Sequence, residues 1–122
     1  MTNTAALRIA ASMGVLAVGL GAFGAHGLKE LLASNGTAGI WEKAVFYHLV
    51  HAVMLFILGG RTPLHTGVWF SFFTGILIFS GSLYLLAVTN LRWLGAITPF
   101  GGISFIVGWV WLIIKPSLQK TS

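Results

Sequence analysis

The chain has 122 residues, 57% hydrophobic and only 7% charged, and its 7 Lys and Arg against 2 Asp and Glu give a formal net charge of +5. A charged share about a quarter to a third of the soluble norm cannot dress a water-facing surface, and the absence of cysteine removes disulfide frameworks, thiolate zinc sites and iron–sulfur clusters. Nucleic-acid binding needs clustered basic residues, whereas Arg8, Lys29, Lys43, Arg61, Arg92, Lys115 and Lys120 stand singly beside the ends of apolar runs, so the partner this charge predicts is a lipid bilayer.

Crossing about 30 Å of hydrocarbon takes about 20 mostly apolar residues. Residues 6–25 are the first segment to qualify. Within it Ala10, Gly14, Ala17, Gly21 and Gly24 recur at intervals of four and three, a seam of small residues that lets another helix approach closely. Arg8, the apolar core and the small residues near its end also sketch a cleavable signal; the length of the run favours a retained span. Residues 26–40 follow, where Leu28, Leu31 and Leu32 form an apolar stripe beside Lys29 and Glu30. That pattern predicts a short interfacial helix ended by Asn35-Gly36.

Residues 41–60 form the second span, "WEKAVFYHLVHAVMLFILGG". Glu42 is read as a carboxylate in its first turn, favoured by the helix dipole. A short loop, "RTPLHTG", leads to the third span, 68–89, with Ser71 and Gly75 as small positions; His65 in that loop reads as a solvated residue. "NLRW" then leads to the fourth span, 94–114, where Gly101, Ser104 and Gly108 repeat the small-residue spacing. Pro99 deletes a helix hydrogen bond beside Gly101-Gly102, so the fourth span is expected to bend or break there, Pro99 marking the kink. The connections are short, so neighbouring spans are expected to run antiparallel. The fold class predicted is an all-α integral membrane protein: one antiparallel four-transmembrane-helix bundle, residues 1–122, with a short interfacial helix between the first and second spans.

Four spans put both termini on one face, with Arg8, Arg61, Lys115 and Lys120 there and Lys29, Lys43 and Arg92 opposite. Four against three places the termini in the cytoplasm by the positive-inside tendency. Trp41, Trp69, Trp93, Trp109 and Trp111 mostly fall near span ends, the pattern of aromatic belts.

Polar groups gather in the half of the membrane away from the termini. His48 lies about 10 Å along its helix from Trp41, and His51 one turn deeper. Tyr84 from the third span, Thr98 from the fourth and His26 at the end of the first share that zone, giving a candidate intramembrane cluster of His26, His48, His51, Tyr84 and Thr98. Four readings compete. The cluster is a structural network between helices, a proton-relay or quinone-type site, a bis-histidine haem site joining His26 to His48 or His51, or a metal site short of an acidic ligand. The expected cofactor list is empty, quinone and haem being the alternatives, and no metal is expected. No triad, phosphate loop or paired carboxylates is present. A small membrane protein without catalytic machinery, acting as an accessory, structural or self-associating subunit, is the expectation; partners are a homo-oligomer or a larger membrane complex.

The words "GAFGAHGL", "YHLVHA", "GSLYLLA" and "RWLGAITPFGG", in this order, resemble the family of small membrane proteins known as domain of unknown function 423, with its bacterial YwdK- and YgdD-like members and its eukaryotic transmembrane protein 256-like members. The resemblance runs from about Leu16 to Trp111. It implies a four-helix integral membrane protein and, for the bacterial members, the cytoplasmic membrane. His26, His48, Tyr84, Thr98 and Pro99 match family-motif positions, and the family supplies no catalytic role to carry onto them.

Overall fold

The computed structural model describes residues 1–116 and 118. It contains α1 (Asn3–Ala25), α2 (Lys29–Asn35), α3 (Ala38–Gly59), α4 (Thr66–Gly75), a π-helical turn (Ile76–Ser80), α5 (Gly81–Thr89), a 3-10 turn (Arg92–Ala96) and α6 (Thr98–Ile114). Among the described residues four stretches are long and apolar enough to cross a membrane: Asn3–Ala25, Ala38–Gly59, Thr66–Thr89 and Arg92–Ile114. Each starts two or three residues before the apolar run, because polar starters such as Asn3 and Thr66 already belong to the first turn. α2 forms where the leucine stripe predicts it. Gly36 ends it in the left-handed conformation, φ 67°, and Thr37 N–H returns to the Leu32 carbonyl at 2.9 Å, a glycine-dependent stop.

The spans do not share burial equally. α3 packs against α1 on one side and the third span on the other, while α6 packs on α4 and the π turn. Only 17% of residues are buried in the first and fourth spans, against 44% in the third, so α1 and α6 are the outer members. Their remaining faces are apolar: Val15, Val18, Phe100, Ile103, Ile106 and Ile113 are all exposed, as a lipid-facing shell requires.

Glycine meeting an aromatic ring is the recurring contact. A Cβ on Gly24 would collide with the Trp41 ring, one on Gly75 with Phe105, one on Gly108 with Phe72, and one on Gly101 with the main chain of Phe79. Each pair also fixes register. Asn3 at the start of α1 donates to Gly59 and Arg61 carbonyls, at 2.7 and 2.8 Å, while Gly24 at its end meets Trp41 near the start of α3. The other end of the molecule is pinned similarly, since Thr37 Oγ1 and Asn35 Nδ2 donate to the Ala87 carbonyl at 2.7 and 3.1 Å. Both pins satisfy carbonyls that a helix C-terminus leaves without partners.

Several sequence expectations are corrected. Ala10, Ala17 and Gly24 are buried, but a Cβ on Gly14 would meet nothing within 4 Å, and one on Gly21 only Val45 at 3.2 Å. The small-residue seam is therefore close-packed at Ala10, Ala17, Gly21 and Gly24 and open at Gly14. The fourth span does break here, but just before Pro99, at the change from 3-10 to α; Pro99 itself occupies the first turn of α6, where its missing N–H has no partner to lose. Glu42 is not in a first turn, because α3 begins at Ala38. Trp69 is fully buried and Trp41 nearly so, and their indole N–H groups clamp other spans, donating to Leu55 and Leu20 carbonyls at 3.2 and 2.9 Å. Bilayer-interface placement accounts for neither.

The π turn has no counterpart in the sequence reading. It lies between Gly75 and Gly81, and its last residue, Ser80, is fully buried with Oγ donating to the Ala44 carbonyl of α3 at 2.8 Å. A wider turn of this kind re-aims the residues after it, here Ser82 toward α6 and Tyr84 toward α3.

Candidate functional site

The helical period puts His48 and His51, three residues apart, on adjacent lines of α3. Both are buried, at 3% and 4% exposure, and each addresses a different neighbour. His48 Nδ1 pairs with the Tyr84 hydroxyl of α5 at 2.9 Å, and the Tyr84 ring in turn meets Trp41 edge-on, with centroids 4.7 Å apart. His51 faces α6. Its Nε2 accepts from the Trp109 indole N–H at 3.1 Å, and its ring stacks on Phe105 with centroids 3.7 Å apart and planes 11° from parallel.

The second nitrogens decide what each ring can do. Nδ1 of His51 lies 2.8 Å from the Tyr47 carbonyl, one turn back on α3. A carbonyl only accepts and an indole only donates, so the two partners hold His51 as the neutral Nδ1–H tautomer with no free valence. His48 is different. Its Nε2 is buried and makes no hydrogen bond. If Tyr84 O–H donates to Nδ1, Nε2 carries an unspent proton; if the proton sits on Nδ1, Nε2 presents an unspent lone pair.

Thr98 belongs to a third contact. Its hydroxyl lies 2.6 Å from Ser82 Oγ, which also reaches the Phe79 carbonyl of the π turn at 3.0 Å, so a consistent order has Thr98 donating to Ser82 and Ser82 donating to Phe79. His26 is separate from all three. It is exposed at the C-cap of α1, with its main-chain N–H returned to the Phe23 carbonyl, because the chain leaves the helix axis there. The expected single cluster is thus resolved into a His48–Tyr84 pair, a His51–Trp109 bridge and a Ser82–Thr98 pair, with His26 outside. Of the packing residues named from sequence, Ala17, Gly21, Gly24, Gly101 and Gly108 make tight contacts and Gly14 does not.

Sequence reasoning missed Trp109, Tyr47, Phe105 and Ser80 at this site. The available signal was spacing: Phe105 and Trp109 lie four apart and Tyr47 and His51 four apart, so each pair marks one helix face. Among the described residues no three histidine or carboxylate side chains gather as a metal site.

Comparison with known proteins now adds a family. The model of the family described as "Protein of unknown function (DUF423)" matches residues 20–102. The chain belongs to this family. It is 50% identical over 105 residues to a UPF0382 membrane protein of Staphylococcus epidermidis, covering 82% of this chain and 84% of the relative. It is 45% identical over 107 residues to the UPF0382 membrane protein YwdK of Bacillus subtilis, covering 82% and 85%. No solved structure matches. With four membrane-length spans and membrane proteins as relatives, this is a multi-pass integral membrane protein. The stretch matched includes Trp41, His48, His51, Tyr84, Thr98 and Gly101, which covers every contact between α3 and α5 described above.

Proposed function

We propose that this protein is a non-catalytic membrane subunit that acts by assembling, with further copies or with a larger membrane complex, and that its buried histidines hold its own spans together. The observation that carries this reading is His51: both ring nitrogens are spent on protein partners from two helices, and the ring is packed between Phe105 and Phe72. A group so engaged is an interhelical contact, as most intramembrane polar groups are. The outer spans α1 and α6, apolar and little buried, supply the faces for assembly. On the positive-inside tendency both termini lie in the cytoplasm.

A second reading has one specific observation in its favour. The unspent Nε2 of His48 beside Tyr84 suits a proton relay or a site for a lipid-soluble redox cofactor, a quinone or haem, since intramembrane ionisable groups are often functional. Cross-linking in native membranes, with the absorption spectrum and extractable lipid of mildly purified protein measured alongside, separates the two. Reproducible capture of itself or of a defined complex, without stoichiometric pigment, fits the subunit reading. A haem band or one quinone per chain, with no capture, contradicts it.

A further inference from the structure

The small residues of α1 and the open step at Gly14 leave a groove on the outside of α1 and α3. Its upper part is a hollow of about 390 Å³ lined by Gly21, Gly24, Trp41, Glu42, Val45 and Leu49 among others. A second hollow of about 260 Å³ continues from Leu49 along Gly14, Ala52 and Val53 to Ile57. From Glu42 to Ile57 the groove follows α3 for about 22 Å at the helical rise, most of a hydrocarbon core about 30 Å thick. Apart from Glu42 its lining is apolar.

Glu42 gives the groove a polar end. It lies about 6 Å along α3 from the helix start at Ala38, at the depth of a headgroup boundary, and it is exposed. Its neighbours one turn away on α3 are Ala38, Gly39, Val45 and Phe46, so no cation of its own helix meets it, and Lys43 projects about 100° away. The helix dipole does not account for it, because it lies beyond the first turn. An intramembrane or boundary carboxylate calls for a partner. An amphiphile with a cationic head and an apolar tail matches both ends of the groove.

The geometry points to a specific lipid site: the groove between α1 and α3 takes one acyl chain of a phospholipid with a primary-amine headgroup, and Glu42 pairs with that amine. Lys43, next in the chain, and Lys29 and Arg92, at the same end of the molecule, supply positive charge for the lipid phosphate. Gly14 serves this groove by the side chain it omits, since added bulk there would occupy the acyl path, while Gly21 lets α1 approach Val45 of α3.

The test uses the full chain reconstituted in vesicles of equal phosphatidylethanolamine and phosphatidylglycerol, extracted in mild detergent, with retained lipid identified by native mass spectrometry. The retained ratio of amine lipid to phosphatidylglycerol should be about two- to fivefold above the one-to-one ratio of the vesicle, the range expected of one exposed ion pair. Glu42→Gln should return the retained lipid to the vesicle composition. Gly14→Leu, which has open space at Cβ and so leaves the α1–α3 contact intact, should lower the amount of lipid retained. Equal retention of both lipids by the parent overturns the assignment, as does an amine preference that survives Glu42→Gln. A second copy in the groove also overturns it; in a chain without cysteine, it would appear as an efficient disulfide dimer of Leu49→Cys.

Discussion

Replacing Gly101 by alanine adds one methyl where there is no room. The new Cβ would fall on the main-chain N and Cα of Phe79, and main chain cannot rotate aside as a ring can. Either α6 slides off the third span or the π turn deforms, with the stack of Phe105 on His51 disturbed in both cases. Overpacking costs about 1–3 kcal/mol and occasionally more; a backbone obstacle belongs at the upper end. Alanine regains about 1 kcal/mol of helix propensity over glycine. The net is a loss of about 2 kcal/mol, or about 30-fold in the unfolding equilibrium. Equilibrium unfolding in mixed micelles reads this directly, with Gly14→Ala as the control. There Cβ meets nothing within 4 Å, so only the propensity gain remains and stability should hold or rise by up to about 1 kcal/mol. If Gly101→Ala stays within about 0.5 kcal/mol of the parent, the range of an indifferent site, the close-approach argument fails.

Gly108→Ala should also destabilise, but its obstacle is the Phe72 ring at 2.5 Å, so adding Phe72→Leu should recover part of the loss in the same assay. Tyr84→Phe leaves His48 with neither nitrogen bonded and should cost about 1–3 kcal/mol. Thr98→Val should cost less, about 0.6 kcal/mol, because Ser82 keeps its bond to the Phe79 carbonyl; similar losses for these two variants in micelle unfolding would argue against the role given to His48. Asn3→Ala removes two contacts to the end of α3 and should raise hydrogen exchange at Gly60 and Arg61 while leaving the Trp41 end unchanged.

The spans and the short helix at Lys29–Asn35 were legible because apolar length and a leucine stripe are written directly in the residue pattern. Gly24, Gly101 and Gly108 were legible as close-contact positions from their spacing. That spacing could not separate them from Gly14, since the difference lies in what α3 places opposite: Trp41 over Gly24, nothing over Gly14. The π turn was invisible because "ILIFS" carries no residue that demands it; the register between Ser80 and Ala44 sets it from outside. Trp109 was read as a bilayer anchor because an indole near a span end looks alike whether its N–H meets water or His51. His26 was grouped with the other histidines by depth, and the turn of the chain after Ala25 leaves it exposed.

The claim that the buried histidines join spans rests most directly on His51 and Trp109, and a double-mutant cycle measures it. His51→Phe keeps an aromatic ring to stack on Phe105 and removes both hydrogen bonds; Trp109→Phe removes the indole donor. Stabilities of the parent, both single variants and the pair, measured by unfolding in bilayer discs, isolate the coupling. The account predicts a favourable coupling of about 0.6–1.7 kcal/mol, the range of hydrogen bonds between membrane helices. Strict additivity, with each variant otherwise folded, would contradict it and leave His51 free for another role.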